Sequence, residues 1–138
     1  MDDLPAALRD LPIAASVRAA DFDGVSAWIA DDKDRYLWRS QTHLDIFGGT
    51  IEDSMHVHRM DVVSQEVVEH SAPFRARALK GLTANALLEG QVNSALWHTL
   101  WVPLHYSYLS LWTRVPEVDG RFPVHGTRNY LALKRLLA

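Results

Sequence analysis

Residues 25–61 read VSAWIADDKDRYLWRSQTHLDIFGGTIEDSMHVHRMD, and the order of apolar and polar runs in this stretch decides the fold. Val25 to Ala30 is a short apolar run. It meets an acidic turn at Asp31, Asp32 and Asp34, after which Tyr36, Leu37 and Trp38 resume the apolar character. Short apolar runs bounded by turn residues read as strands, so 25–38 predicts two strands joined by a tight turn. The mixed run that follows ends at Gly48–Gly49, which predicts short helices closed by glycine. Asp53, or Ser54 in its place, can cap a helix that begins near Ser54 and runs to about His70, with Pro73 breaking the pattern beyond it.

Outward from this stretch, residues 2–20 place Leu4, Ala7, Leu8 and Leu11 at helical spacing before Pro12, and Ile13 and Val17 after it. They predict a helical N-terminal extension broken near Pro12. Residues 74–89 are ambiguous, because Leu79, Leu82, Ala86 and Leu87 fit a helix that Gly81 and Thr83 weaken. Leu96 to Val115 holds most of the aromatic mass. Its β-branched and aromatic content predicts two strands, WHTLWVPL and YLSLWTRV, with a turn near His105–Ser107. A helical stripe (Leu96, Leu100, Trp101, Leu104, Tyr108) competes with that reading, but Pro103 inside a helix would cost it about 3 kcal/mol. EVDGRFPVHG reads as a loop and TRNYLALKRLLA as a final short helix.

Composition bounds the class. A chain of 138 residues with 48% hydrophobic and 22% charged residues is ordinary for one globular domain. Fourteen basic side chains against seventeen acidic ones give a net charge of −3, with no long basic run, so nucleic acid is not the expected partner. There is no cysteine, which excludes disulfides, thiolate catalysis, Cys-based zinc sites and flavin photochemistry through a cysteinyl adduct. The first residues, MDDLPAALRDLP, do not form a secretory signal, and the cytoplasm is the expected location. Gly90 to Thr113 carries no Asp, Glu, Lys or Arg over 24 residues. Its many polar side chains and Pro103 favour a buried segment of a soluble fold over a membrane span. No phosphate-binding glycine loop, nucleophile elbow or His-Glu-x-x-His pair is present, so no enzyme motif is legible.

The order of elements resembles a PAS domain: helical extension, two strands, short helices around glycine, a longer helix, then aromatic strands. Three stretches carry the likeness. VSAWIADDKDRYLWRS is similar to that family's opening strand pair, THLDIFGGTIEDSM to its short helices followed by glycine, and HVHRMDVVSQEVVEH to its His-Pro-Asp-Asp start of the long helix. Arg59 and Met60 replace the Pro and the first Asp of that last pattern. The asparagine often found after the second strand is replaced by Arg39 and Ser40. The resemblance covers about residues 25–115. It implies an α+β fold, an antiparallel sheet with the helices of residues 41–70 on one face, and an internal pocket for a small ligand or cofactor. On this reading residues 1–20 are the N-terminal helical extension and residues 21–138 a single globular domain.

Seven histidines are the candidates for chemistry. His56 and His58 share a face on a strand and could then bind one metal. On a helix they lie about 200° apart and cannot converge. Read as the start of a helix, the pair is solvated, and no metal is assigned. His56 and His70 fall at one edge of the apolar arc formed by Val57, Met60, Val63, Val67 and Val68. Heme-binding PAS domains ligate iron through a histidine on this helix, so the resemblance makes His70 the first candidate for the pocket, His56 the second, and heme an allowed cofactor. Read without the resemblance, His70 is a partly buried histidine bonded to backbone. Trp97 and Trp101 are candidate pocket walls, although aromatic side chains are also the largest core fillers. Asp31, Asp32 and Asp34 read as solvated turn acids.

Two other classes fit parts of the chain. ADFDGVSAWIADD is similar to the early helix of a SnoaL-like α+β cone enzyme (lyase, isomerase or hydrolase), which requires a helix over 22–30. An all-helical interaction protein requires helices over 54–70, 74–89 and 95–112. The preferred expectation is a sensor or interaction domain, not an enzyme, that signals as a homodimer or to a signalling partner. The stripe of Leu4, Leu8 and Leu11 supplies the dimer contact. Deleting residues 1–20 is therefore expected to leave a folded monomer, and an unchanged mass in light scattering would mean that the stripe packs internally.

Overall fold

The computed structural model describes residues 24–89 and 96–115. The expected N-terminal helix over 2–20, the loop EVDGRFPVHG and the final helix lie outside them.

Five antiparallel strands form one sheet: β1 (Ser26–Asp31), β2 (Tyr36–Arg39), β3 (Ala84–Glu89), β4 (Leu96–Leu104) and β5 (Ser107–Val115), in spatial order β2-β1-β5-β4-β3. The first and last strands are neighbours at the centre, paired from Ser26↔Trp112 to Asp31↔Ser107. The β4–β5 hairpin turns at His105 and Tyr106, with Tyr106 at φ 55°. The aromatic strands are thus where the sequence places them. The cone alternative falls because residues 26–31 are strand, and the all-helical alternative falls because residues 96–104 and 107–115 are strands.

Register sorts the side chains. Trp28, Tyr108, Trp101, Trp97 and Trp112 project to one face, and all are buried. Ala27, Ile29, Leu100, Val102, Leu109 and Leu111 alternate with them on the opposite face and are buried as well. A strand buried on both sides shows no period-2 alternation, which is why a helical stripe could be drawn through β4.

Helices cover the tryptophan face. α1 (Gln41–Phe47) starts at Ser40, whose hydroxyl accepts from His43 N–H at 3.3 Å. The same hydroxyl accepts from Ala27 N–H and donates to Val25 C=O, both at 2.8 Å, so this cap also fastens the helix to β1. α2 (Ile51–Ser54) is one turn capped by Thr50. The helix expected from Ser54 to His70 is not formed as one piece. Val57 pairs with Tyr36, His56 sits at φ 64°, and a 3-10 turn spans Arg59–Asp61. Only after Ser64, whose side chain accepts from Val67 N–H, does α3 run, from Gln65–Leu79. It continues through Pro73, against expectation. Pro73 is exposed, while Val67, Val68, Ser71 and Ala78 are buried against the sheet, so tertiary packing outweighs one lost hydrogen bond. Gly81 at φ 87° closes the turn into β3.

Trp101 is fully buried and meets Trp28, Tyr108, Phe74 and Trp112 at ring separations of 5.6, 5.7, 6.3 and 6.2 Å. Trp101→Ala is expected to lower unfolding free energy by about 3–5 kcal/mol in a denaturant titration. A loss under about 1 kcal/mol would contradict this packing.

Candidate functional site

Local backbone pairing carries a set of charged side chains beneath the sheet. The Asp31 carboxylate accepts from the N–H groups of Lys33 and Arg35 at 2.9 and 3.0 Å, which shapes the β1–β2 turn. Asp34 then adopts the left-handed region at φ 60°, which aspartate tolerates better than most residues. It is buried rather than solvated, contrary to the sequence reading. The chain after α2 lies along this turn: His56 N–H donates to Tyr36 C=O at 2.8 Å, Tyr36 N–H to Val57 C=O at 2.9 Å, and Arg59 N–H to Asp34 C=O at 3.0 Å. That antiparallel contact delivers Arg59 into the core, 1% exposed.

Asp34 is the hub of the first cluster. Its carboxylate accepts from Arg59 Nη1 at 3.2 Å, from Arg75 Nη1 of α3 at 2.8 Å, and from the Tyr108 hydroxyl of β5. Tyr108 in turn accepts from Trp28 Nε1 at 3.1 Å and from Arg59 Nη1 at 3.2 Å. Burial pushes the Tyr108 phenol well above its ordinary range, so it stays a donor to Asp34. Burial alone would lower the Arg59 pKa, but the oxygens of Tyr108 and Asp34 outweigh it and hold the guanidinium charged. Its Cζ stacks 4.2 Å over the Trp28 ring, a cation–π contact made in a desolvated place.

A second cluster adjoins it. His43 is fully buried on α1, with Nδ1 3.3 Å from Arg39 Nη2 and Nε2 3.2 Å from the Tyr36 hydroxyl. Arginine only donates, so Nδ1 accepts, and the ring proton sits on Nε2, donated to Tyr36. Burial and then the neighbouring Arg39 push the His43 pKa down to about 3, which fixes the neutral imidazole. Arg39 Nη1 donates to Ser54 Oγ at 2.8 Å. A Cβ at Gly49, which sits at φ 88°, would lie 3.2 Å from that Nη1, so both conformation and space favour glycine there.

Between the clusters and the sheet lies a cavity of about 10 Å³, room for a single water. β1 contributes Ser26 and Trp28, α1 contributes His43, Ile46 and Phe47, and Arg59, Val63 and Val67 close it from below. Trp97 and Trp112 form the far wall. Of the residues expected to line a pocket, Trp97 does. Trp101 packs in the core beside it without lining it. His56 and His70 are exposed and do not line this cavity. Among the described residues no group of three or more His, Cys, Asp or Glu side chains could hold a metal. These residues do not fit a heme: His70 is outside, and both nitrogens of His43 are engaged.

The order β2-β1-β5-β4-β3, with helices over one face, has solved counterparts. A domain of an HTR-like protein from Haloarcula marismortui is similar at a TM-score of 0.61 and 9% identity, over 67% of this chain and 99% of that one. The PAS domain of a protein from Colwellia psychrerythraea gives 0.52 at 13% identity, over 70% and 91%. The photoactive yellow protein domain from the sensor histidine kinase Ppr of Rhodospirillum centenum gives 0.52 at 16%, over 71% and 94%. This is a PAS fold. No family model matches the chain, and no curated protein matches it, so the relation is one of fold. The cavity lies where the PAS helices meet the PAS sheet. Among the described residues, no helix is long and apolar enough to cross a membrane.

His43 gives this PAS fold a pH dependence. Its folded pKa, about 3, lies below the unfolded value of 6.5. The unfolded chain therefore binds the extra proton between those values, and stability falls as pH drops through 6.5. Going from pH 7 to pH 5 is expected to remove about 2 kcal/mol, and His43→Gln to flatten that slope. A slope unchanged by the substitution would contradict the assignment.

Proposed function

We propose that this PAS domain is a sensory module that takes a small ligand into the cavity beneath α1 and α3. It then passes the occupancy on by pairing with a second copy or with a signalling partner in the cytoplasm. The observation that carries this reading is the character of the cavity wall. It is mostly aromatic and aliphatic, with three buried polar groups, Ser26, His43 and Arg59, set into it. Ligand sites have that composition, an apolar wall with a few placed polar groups. Ile46 and Phe47 are only half-buried and belong to a helix of two turns, so outward movement of α1 is the route by which the cavity enlarges. The similarity to a domain of a sensor histidine kinase supports a sensory role. With no cysteine in the chain, photochemistry through a cysteinyl adduct is not part of it. Trp97 is the pocket wall, and Leu4, Leu8 and Leu11 are the proposed pairing surface.

The test follows tryptophan indole N–H signals of the ¹⁵N-labelled protein during titration with indole, a neutral flat ligand. Trp28, Trp97 and Trp112 line the cavity, so their signals are expected to shift with saturation. Val67→Phe, which fills the cavity at a cost of about 1–3 kcal/mol, is expected to abolish the shifts while the protein stays folded. Equal binding by Val67→Phe, or none by the parent protein, would remove the ligand-binding reading.

A further inference from the structure

Charge around the cavity is unbalanced. Two guanidinium groups, Arg59 and Arg75, meet the one carboxylate of Asp34, and a third, Arg39, lies against His43 of the cavity wall. Asp34 is shared between Arg59 and Arg75. Arg39 is 1% exposed, and its partners among the described residues are the Ser54 hydroxyl, the His43 ring and the face of Tyr36, all uncharged. His43 adds no balancing charge, being neutral. Burying a cation without a counter-charge is unfavourable, and the usual remedies are pairing or loss of the proton. Arginine does not lose its proton in proteins.

Arg59 is where this excess reaches the cavity. It lines the wall at 1% exposure, and its Nε is buried with no acceptor among the described residues. Elsewhere on the guanidinium, Nη1 serves Asp34 and Tyr108, and the plane rests on Trp28. Guanidinium and carboxylate match in geometry and charge, and a charged acceptor makes a hydrogen bond roughly twice as strong as a neutral one. The remaining wall offers aromatic and aliphatic side chains, the neutral His43 and the small side chain of Ser26.

We infer that the ligand of this cavity is a small organic monocarboxylate with a flat apolar body, its charge held by Arg59 and its body lying against Trp28, Trp97 and Trp112. This deepens the ligand-binding reading above and rests on it. The carboxylate offsets the surplus positive charge. A neutral ligand of the same shape leaves that surplus in place, and a cation adds to it.

Benzoate, benzamide and benzylamine test this in the full chain at pH 7, because they share a shape and differ in charge. Tryptophan indole N–H shifts and melting temperature report binding. Benzoate is expected to bind at least tenfold tighter than benzamide, with benzylamine weaker still. Arg59→Gln, checked for folding by circular dichroism, is expected to bring the benzoate-to-benzamide ratio within about twofold of unity. The ratio in the parent protein decides the matter if that variant does not fold. Benzamide binding as tightly as benzoate, or a folded Arg59→Gln that keeps the tenfold preference, would overturn the anion assignment. Indole binding with no benzoate binding would overturn it as well and leave the ligand-binding reading standing. Failure of indole and benzoate together would remove both.

Discussion

The buried carboxylate of Asp34 holds together four pieces of chain that share nothing in sequence. It sits in the β1–β2 turn and receives Arg59, Arg75 and Tyr108 from 25, 41 and 74 residues away. The partners come from the 3-10 turn, from α3 and from β5, so the helical layer and the sheet are joined at one atom group. A lone carboxylate in that position would be expelled by its desolvation cost, and so would a lone Arg59. Each is tolerated because the other is present, and the Tyr108 hydroxyl accepts from both Arg59 and Trp28. Such a network stabilises less than its bond count suggests, since desolvation offsets much of the attraction. It does specify one arrangement strongly, because any register shift that removes one member leaves charges stranded.

That specificity matters because the apolar core is permissive. Trp28, Trp97, Trp101 and Trp112 meet mostly edge-to-face or tilted, at centroid separations near 6 Å, an arrangement that large rings reach in more than one way. β1 and the β4–β5 hairpin are apolar on both faces, so turning a strand over would still bury apolar side chains. Polar side chains on the tryptophan face break the tie. Ser110 Oγ accepts from Trp112 Nε1 at 2.9 Å, and Thr99 Oγ1 accepts from Trp101 Nε1 at 3.1 Å while donating to Ala86 C=O at 3.0 Å. The first two bonds run within one strand and travel with it, whereas the bond from Thr99 to Ala86 crosses from β4 to β3 and is made only in the observed register.

Much of the fold was legible in the sequence, and for local reasons. The first strand pair is announced by apolar runs on either side of Asp31, whose side chain folds the turn. The last pair is announced by aromatic and β-branched residues on either side of His105–Tyr106. The helices were placed less well. His56, at positive φ, and Val57, paired with Tyr36, interrupt what reads as a continuous apolar arc, and this pairing comes from 20 or so residues upstream. Pro73 reads as a stop because propensity is a local quantity. The burial of Val67, Val68, Ser71 and Ala78 that carries α3 past it is a tertiary one.

The site was much less legible, and the reason is physical. His70 and His56 are candidates by the chemical versatility of histidine, yet both face solvent. Asp34 stood in a run of turn acids and read as solvated, and Arg59 registered only as a departure from the His-Pro-Asp-Asp pattern. His43 lies among Leu44, Ile46 and Phe47, which was the one local hint that an imidazole would be enclosed. Nothing near Asp34 in the sequence announces that two arginines and a tyrosine will meet it. A buried ion is recognisable only through its partners, and here every partner of Asp34 is remote. The tryptophans were easier because a large apolar side chain is buried by its own transfer free energy, whatever surrounds it. Apolar walls can therefore be read residue by residue, whereas the polar groups that choose a ligand are set by pairs and appear only once the chain has folded.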